Sequence, residues 1–252
     1  MPHFIVIAGA SASGKTTLAK WLKEKYGTRA ALIRLDDYYL PRNDPNNPPS
    51  KTYDEPAAFD MPRLKADFRK LNQGEAIDKP LFDFAGKNRK AETERIDPSE
   101  LDFIIFEGIL TLNDIDSYGL DPLTKVFVET DSYPTIVHNR TVRDAISQWK
   151  DGPEITKHRE LKCGVRDAFF THILPTKQTA DIVVTNTFKS DITLDEVRAL
   201  LNPETPAENL ACIRSKMNQG VSFDSHPDVI ELVARLEGGM PGRAGKPFTV
   251  AR

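Results

Sequence analysis

The residues near the start of the chain carry the clearest chemical pattern. The stretch from Gly9 to Thr16 reads GASASGKT, which fits G-x-x-x-x-G-K-[ST] at every fixed position. Glycines let the backbone wrap closely around phosphate oxygens, and successive N–H groups at a helix N-terminus form an anion nest. Lys15 would reach the β- and γ-phosphates, and the Thr16 hydroxyl would bind Mg²⁺. The pattern predicts a nucleoside triphosphate site at Gly9, Ala10, Ser11, Ala12, Ser13, Gly14, Lys15, Thr16 and Thr17.

Three classes of protein use such a loop. A GTP-dependent switch would need N-K-x-D for guanine, which the sequence lacks, and its D-x-x-G matches at 83–86 and 116–119 follow no convincing strand. A motor or transport ATPase would need an Asp-Glu pair at a strand end, but the third apolar strand ends Phe106-Glu107. A small-molecule kinase needs an acceptor pocket, a base and a basic lid. The sequence favours this third class.

Carboxylates follow two of the predicted strands. Asp36 comes directly after the second strand, where the carboxyl ends of parallel strands face the ligand crevice. There it could accept the proton of an acceptor hydroxyl and orient that hydroxyl toward the γ-phosphate. Asp37 competes for the same role. Glu107 ends the third strand beside the phosphate loop and is a candidate ligand of Mg²⁺, through water.

Two basic patterns follow along the chain. Arg140, Arg143 and Lys150 fall on one face of a predicted helix, and a second helix carries Arg159, Lys162 and Arg166 on one face. Basic helices of this kind suit a lid, about 140–172, that closes over triphosphate and offsets charge in the transition state. The alternative is a pair of solvated helix faces, and spacing alone leaves the two open.

The elements that must position these residues alternate. Apolar runs predict strands at 4–8, 31–35, 103–106, 125–129 and 181–185. Helical patterns lie at 15–26, 62–71, 133–150, 156–172, 194–201 and 228–236, with a hairpin at 79–96. A loop with five prolines from Pro41 to Pro56 separates the second strand from the next helix. The alternation predicts an α/β, three-layer P-loop NTPase fold with a mostly parallel sheet, plus the basic helical lid.

Composition bounds the rest. The 252 residues carry a formal charge of −3, which argues against a protein that coats nucleic acid. The longest apolar runs are far short of a membrane span, and Phe4–Ala8 reads as a strand rather than a leader. Two isolated cysteines fit a reducing compartment, so we expect a cytoplasmic protein. We expect a kinase domain at 1–189 and, at 190–252, a helical extension with a loose tail.

These segments together resemble the uridine (uridine-cytidine) kinases, within the group that includes phosphoribulokinase and pantothenate kinase. The resemblance covers Phe4–Asn186 through GASASGKTT, LDDYY, YDEPAAFD, PLFDF with a following Arg89, FIIFEGIL, VFVETD, RTVRD and LPTKQTADIVV. It implies transfer of the γ-phosphate of ATP to a nucleoside 5′-hydroxyl, with Mg²⁺. It implies a catalytic role for Asp36, Mg²⁺ contacts for Thr16 and Glu107, and ribose contacts for Asp54. Arg140 and Arg143 match lid arginines, and Lys150 stands where another is usual; the family often forms homo-oligomers.

The departures lie in the part that would recognise the base. Phe82 and Lys87 stand where the family has a Tyr and a His, and Gln148 stands where it has a lid arginine. A base-contacting glutamine is aligned with Glu160. Because an unpaired polar group in a pocket costs free energy, these changes predict an altered acceptor. One hypothesis is an acceptor with a carboxylate or phosphate that Lys87 meets, helped by Arg89; the other is uridine, with Lys87 in solvent.

Aromatic residues Phe59, Phe84 and Tyr53 could wall the acceptor pocket, although core packing explains such residues equally well. The acceptor would then be a small molecule bound by Asp54, Phe59, Phe82, Phe84, Lys87 and Arg140. A nucleotide-binding regulator that has lost its acceptor is the non-enzymatic alternative. The presence of Asp36 and Glu107 argues against it.

Overall fold

The computed structural model describes residues 1–46, 52–146, 152–217 and 222–238. Five parallel strands form the main sheet in the order β2-β5-β1-β6-β7, and β3 and β4 form a separate antiparallel pair. The strands are β1 His3–Gly9, β2 Ala30–Arg34, β3 Ile77–Asp83, β4 Asn88–Ile96, β5 Phe103–Glu107, β6 Leu123–Thr130 and β7 Ile182–Asn186. The helices are α1 Lys15–Tyr26, α2 Met61–Asn72, α3 Tyr133–Ile146, α4 Pro153–Lys162, α5 Val165–Ala168, α6 Leu194–Leu201, α7 Ala207–Met217 and α8 Pro227–Gly238.

The sheet is covered on both faces, which explains why its central strands are apolar throughout. Phe4 and Phe106 pack on one face with Phe68 of α2. Ile5 belongs to the cluster on the other face, together with Leu22 of α1. The predicted three-layer α/β fold is therefore confirmed.

The register of the sheet brings strand ends together. Ile7 in β1 and Arg34 in β2 both pair with Glu107 of β5. Because parallel strands present their carboxyl ends at one edge, the phosphate loop, the turn after β2 and Glu107 all meet there. A short 3₁₀ turn, Leu35–Tyr38, follows β2 and carries both candidate bases.

The local signals around α2 and the hairpin are also confirmed. The Asp60 side chain accepts a hydrogen bond from the Arg63 backbone N–H and caps α2. The hairpin predicted at 79–96 is the β3–β4 pair.

The prediction of one helix over 156–172 is wrong. Helix α4 ends at Lys162, Gly164 adopts a left-handed conformation with φ of 79°, and α5 begins at Val165. A non-glycine residue rarely takes that conformation, so Gly164 divides the pattern. A wider helical turn, 169–173, and a 3₁₀ segment, 174–179, complete the region. Arg159 and Arg166 consequently belong to different helices. The predicted helix over 133–150 is described only as far as Ile146, and Gln148 and Lys150 lie outside the described residues.

The C-terminal region contributes helices α6 to α8, of which α7 was missed by the sequence analysis. Leu232 and Leu236 of α8 are fully buried in the same cluster as α1. The predicted domain boundary near residue 189 stays a prediction. The loose tail expected at the end of the C-terminal extension lies almost wholly outside the described residues. Among the described residues, no helix is long and apolar enough to cross a membrane.

Candidate active site

The phosphate loop between β1 and α1 needs glycine at both ends of its pattern. Gly9 has a φ of 148°, and a Cβ there would lie 2.3 Å from the Val128 carbonyl oxygen. Gly14 has a φ of 97°, and a Cβ would lie 2.5 Å from Nδ2 of Asn186. Real Cβ atoms do not approach other atoms so closely. Larger residues at either position would therefore displace the loop.

Asn186 is a site residue that sequence analysis missed. It ends β7, is buried, and its Nδ2 donates to the Ser13 carbonyl oxygen at 2.8 Å. Its Oδ1 accepts from the Phe188 backbone N–H at 3.0 Å. This amide therefore fixes the phosphate loop to the far strand of the sheet. Its place at the carboxyl end of a predicted strand was the signal that could have identified it.

A cavity of ≈ 710 Å³ opens at this edge of the sheet. It brings together ten predicted site residues: Ser11, Lys15, Thr16, Asp36, Asp54, Phe82, Phe84, Lys87, Arg140 and Arg143. Tyr53, a candidate wall of the acceptor pocket, and Arg159, from the second basic pattern, line the cavity as well. The other lining residues were not predicted as a site: Tyr39, Leu40, Arg42, Thr52, Ile109, Asp144, Ile155, His158, Cys163 and Val165. Residues between Ser11 and Ile109 and residues between Arg140 and Val165 thus share one cavity.

The two candidate bases are separated by their surroundings. Asp36 lines the cavity. Asp37 is fully buried, and its carboxylate accepts from Lys79 Nζ at 2.7 Å and from Arg34 Nη2 at 2.9 Å. An acceptor in the cavity therefore faces Asp36, while Asp37 is held in an internal ion pair.

The charged groups near the phosphate loop are strongly desolvated. Burial raises the pKa of Asp36 and of Glu107, and Lys15 opposes the rise at both carboxyls. Burial also lowers the pKa of Lys15, whose Nζ donates to the Ala10 carbonyl oxygen at 3.4 Å. Each of these groups would be stabilised by a partner of opposite charge entering the cavity. Phosphate oxygens and a divalent cation are such partners.

Thr16 and Glu107 have the donor chemistry of a magnesium site. The Thr16 hydroxyl lies 3.2 Å from both carboxylate oxygens of Glu107, at the start of α1 and the end of β5. Mg²⁺ prefers oxygen ligands and uses one or two protein groups together with phosphates and water. The described residues contain no cluster of three or more His, Cys, Asp or Glu that could hold a metal without such help. The pair therefore fits an ion that arrives with nucleotide.

The two lid arginines of α3 face different parts of the cavity. Arg143 Nη1 donates to the Ser11 hydroxyl oxygen in the phosphate loop at 2.8 Å. Arg140 Nη1 donates to Asp54 Oδ2 at 2.8 Å, on the acceptor side. Asp144 is buried between them and accepts from Arg143 Nη2 at 2.6 Å. The structure therefore separates residues that the sequence grouped on one stripe.

The candidate aromatic residues surround Tyr39, and they differ in whether they line the cavity. Phe82, Phe84 and Tyr53 line the cavity, and each has its ring centroid within 6.4 Å of that of Tyr39. Phe59 stacks on the opposite side of Tyr39 at 4.2 Å and is buried in the core. Phe59 does not line the cavity, so its predicted contact with the acceptor is not supported by this geometry. It supports the ring that does.

Other candidates are placed away from an acceptor. Arg89 pairs with Asp60 at 2.8 Å and does not line the cavity, so this geometry does not support its predicted help to Lys87. Glu160 is buried and accepts a hydrogen bond from the Tyr133 hydroxyl, and it does not line the cavity. Thr17 is exposed in the first turn of α1, outside the cavity lining.

Lys87 is an exposed side chain at the cavity wall, in the turn of the hairpin. Its φ of 51° is rare for a lysine, and its carbonyl oxygen accepts from the Arg42 backbone N–H at 3.0 Å. That bond joins the hairpin turn to the segment after the 3₁₀ turn. Two cationic side chains, Lys87 and Arg42, therefore line the acceptor side of the cavity.

Comparison with known proteins gives a consistent result. Residues 4–193 match the phosphoribulokinase / uridine kinase family. A uridine kinase of Brevibacillus brevis is 36% identical over 198 residues, which cover 77% of this chain and 89% of that protein. A uridine kinase of Lactococcus lactis subsp. cremoris is 35% identical over 206 residues, which cover 79% of this chain and 97% of that protein. The crystal structure of phosphoribulokinase from Rhodobacter spheroides shares the fold, with a TM-score of 0.53 at 15% identity over 73% of this chain and 70% of that one.

Proposed function

The chain belongs to the phosphoribulokinase / uridine kinase family, and we propose that it transfers the γ-phosphate of ATP to the 5′-hydroxyl of a nucleoside. The observation that carries this proposal is the position of Asp36. It lines one cavity with Lys15 and Thr16 of the phosphate loop and with the aromatic residues Phe82 and Phe84. A hydroxyl bound between the aromatic side and the loop would meet a carboxylate beside the phosphate to be transferred.

The reaction follows from the groups at the loop. Backbone N–H groups between Gly9 and Thr16 bind the phosphates, and Lys15 offsets charge on the transferring group. Asp36 orients the acceptor hydroxyl and takes its proton as the oxygen attacks phosphorus. Desolvation raises the pKa of Asp36 and so makes this carboxylate a stronger base than an exposed one.

Thr16 and Glu107 would hold Mg²⁺. When bound, the ion would neutralise charge on the β- and γ-phosphate oxygens. Burial raises the pKa of Glu107, and a cation beside it would oppose that rise by favouring the ionised carboxylate. The hydroxyl of Thr16 already lies within 3.2 Å of that carboxylate.

The acceptor side offers a polar pair and an aromatic wall. Asp54 is held by Arg140 at 2.8 Å and faces the cavity, where it could accept from the sugar hydroxyls of a nucleoside. Phe82 and Phe84 provide apolar surface for a flat base. We further propose that the enzyme acts in the cytoplasm on a small molecule and not on nucleic acid. We also propose that Arg143 reaches the triphosphate when the lid closes.

The test is ADP production from Mg-ATP with a panel of acceptors: uridine, cytidine, other nucleosides, pantothenate, glycerate and pentose phosphates. We expect turnover with uridine or cytidine, and its loss in Asp36→Asn. Asp78→Asn, a change of the same kind on an exposed hairpin residue, serves as the matched control and should stay active. Turnover of an anionic acceptor alone would contradict the nucleoside assignment. The absence of turnover with every acceptor would contradict kinase activity altogether.

A further inference from the structure

A buried ion pair lies directly behind the proposed base. Lys79 in β3 is only 2% exposed, and its ammonium lies 2.7 Å from Oδ2 of the fully buried Asp37. Glu94 on β4 lies 3.2 Å from the same ammonium, and Arg34 donates to the other oxygen of Asp37. Neither Lys79 nor Asp37 lines the cavity. The proposed reaction therefore gives these two charges no direct part.

The pair connects the 3₁₀ turn that carries Asp36 with the β3–β4 hairpin, at a different place from the backbone bond between Arg42 and Lys87. Asp37 follows Asp36 on the 3₁₀ turn, while Lys79 precedes Phe82 by three residues on β3. The β3–β4 hairpin forms its own sheet and shares no ladder with the five-stranded sheet. The base and the aromatic side of the acceptor cavity consequently belong to different elements. The buried hydrogen bond from Lys79 Nζ to Asp37 Oδ2, at 2.7 Å, fixes the position of the hairpin relative to the turn that carries the base.

Stability alone is a poor explanation of this arrangement. Desolvating two charges costs free energy that their attraction often fails to recover, and well-packed apolar residues are frequently as stable. An ion pair differs from apolar contacts in being directional. Rates of phosphoryl transfer depend steeply on the alignment of base, hydroxyl and phosphorus, because a misplacement of about 1 Å can cost about 100-fold.

We propose that Lys79 and Asp37 are positioning residues that hold the β3–β4 hairpin, with its aromatic residues Phe82 and Phe84, in a fixed position relative to Asp36. This inference rests on the proposed function. It assigns to Lys79 control of where the acceptor hydroxyl sits, not contact with substrate. The phosphate loop has a separate support in Asn186, whose side chain donates to Ser13 at 2.8 Å. Disturbing the pair should therefore change acceptor use and leave ATP binding intact.

The experiment compares Lys79→Met, the double variant Lys79→Met/Asp37→Asn and the conservative Lys79→Arg. Asp78→Asn is the control, because Asp78 immediately precedes Lys79 in β3 and has an exposed side chain. Each is assayed with the acceptor that the unaltered enzyme uses best. Lys79→Met should raise the acceptor KM and lower kcat, by about 10-fold in kcat/KM or more, with an ATP KM within about twofold of the original. Asp78→Asn should change neither constant.

The double variant separates positioning from folding. It removes the buried carboxylate that Lys79→Met leaves with Arg34 as its remaining partner, so its melting temperature should lie nearer that of the unaltered enzyme than the melting temperature of Lys79→Met does. Its acceptor kcat/KM should stay low, and Lys79→Arg should recover part of it. A double variant with normal acceptor kinetics would overturn the proposal, as would acceptor and ATP constants that move together in all variants.

Hydrogen exchange gives a readout that does not depend on turnover. Lys79→Met/Asp37→Asn should reduce protection in β3–β4 and in the turn Leu35–Tyr38, and leave the phosphate loop unchanged. Unaltered protection in both elements would refute the inference. Failure of the proposed function would look different, because the unaltered enzyme itself would then turn over no acceptor.

Discussion

Arg143 of α3 donates a hydrogen bond to the hydroxyl of Ser11, at 2.8 Å, across 132 positions of sequence. The contact ties the first helix of the basic region to the phosphate loop. Asp144 holds the other side of the same guanidinium, with Nε at 2.9 Å and Nη2 at 2.6 Å from one carboxylate oxygen. The guanidinium is thereby oriented toward the place where a triphosphate would bind.

Replacing Arg143 with Ala should slow phosphoryl transfer. Removal of one positioned donor to the transferring group commonly lowers kcat by about 100- to 1,000-fold. The acceptor KM should change much less, since Arg143 contacts the loop and not the acceptor side. Steady-state kinetics with Mg-ATP check this, with Arg198→Ala, an exposed arginine of α6, as the control. Equal kcat in the two variants would contradict a role for Arg143 in transfer.

Changing Asp54 or Arg140 should affect the acceptor. The two side chains are about one-tenth exposed and pair at 2.8 Å. We expect Asp54→Asn to raise the acceptor KM by about 10-fold or more, with the ATP KM unchanged, because the amide carries no charge and replaces one of the two acceptor oxygens with an NH2 donor. A double-mutant cycle with Arg140→Met on acceptor kcat/KM should give a coupling of about 0.5–3 kcal/mol. Strictly additive effects would mean that the pair does not act as a unit.

The proton balance of Asp36 predicts opposite effects on activity and stability. Burial raises its pKa, so activity, which needs the ionised form, should fall as pH drops through that raised pKa. Between the pKa of Asp36 in the unfolded chain and its raised pKa in the folded protein, the folded state binds more protons than the unfolded state. The contribution of Asp36 to the free energy of unfolding therefore falls as pH rises through this range. Above both pKa values the full free-energy cost of burying the ionised Asp36 carboxylate is present.

Asp36→Asn should therefore abolish turnover and raise the melting temperature of the nucleotide-free enzyme at neutral pH. Thermal unfolding at pH 7 checks the second effect, and the gain should shrink as pH is lowered through the raised pKa of Asp36. Glu92→Gln, at an exposed position of β4 outside the cavity lining, is a suitable control. A lower melting temperature for Asp36→Asn would contradict the idea that desolvation dominates at this carboxyl.

Lys87 decides between the two hypotheses about the acceptor. If uridine binds with Lys87 in solvent, Lys87→Ala should leave uridine kcat/KM within about twofold. If the natural acceptor carries a carboxylate or phosphate, the same change should reduce kcat/KM for that acceptor by about 10-fold or more, since an ion pair or charged hydrogen bond is lost. Lys90→Ala, an exposed lysine of β4 outside the cavity, provides the control. Equal rates for Lys87→Ala and the unaltered enzyme with every acceptor would rule out the charged acceptor.

The predictions that succeeded were local in sequence. The phosphate loop is contiguous, and the flanking strand and helix follow from an apolar run and a helical period, so β1, α1 and the cap at Asp60 were all recognisable. The structure departs from expectation in one contact between distant elements and in one helix boundary. Arg89 was expected beside Lys87 but pairs with Asp60 of α2. A helical period continued through Gly164, although a single left-handed glycine ended the helix.

The sequence by itself determined the fold class, the phosphate-binding loop and the strand ends at which chemistry could occur. Those features depend on residue types and on short-range periodicity, and both are properties of the covalent chain that stay the same when it folds. The different surroundings of Asp36 and Asp37 are visible only in the tertiary structure, because Asp37 is paired with Lys79, which lies 42 positions later, while Asp36 lines the cavity. The tertiary structure also decided that Arg143 meets Ser11 while Arg140 meets Asp54. Burial and pairing are properties of the whole packed chain, so a charged group acquires its role only once its neighbours are in place.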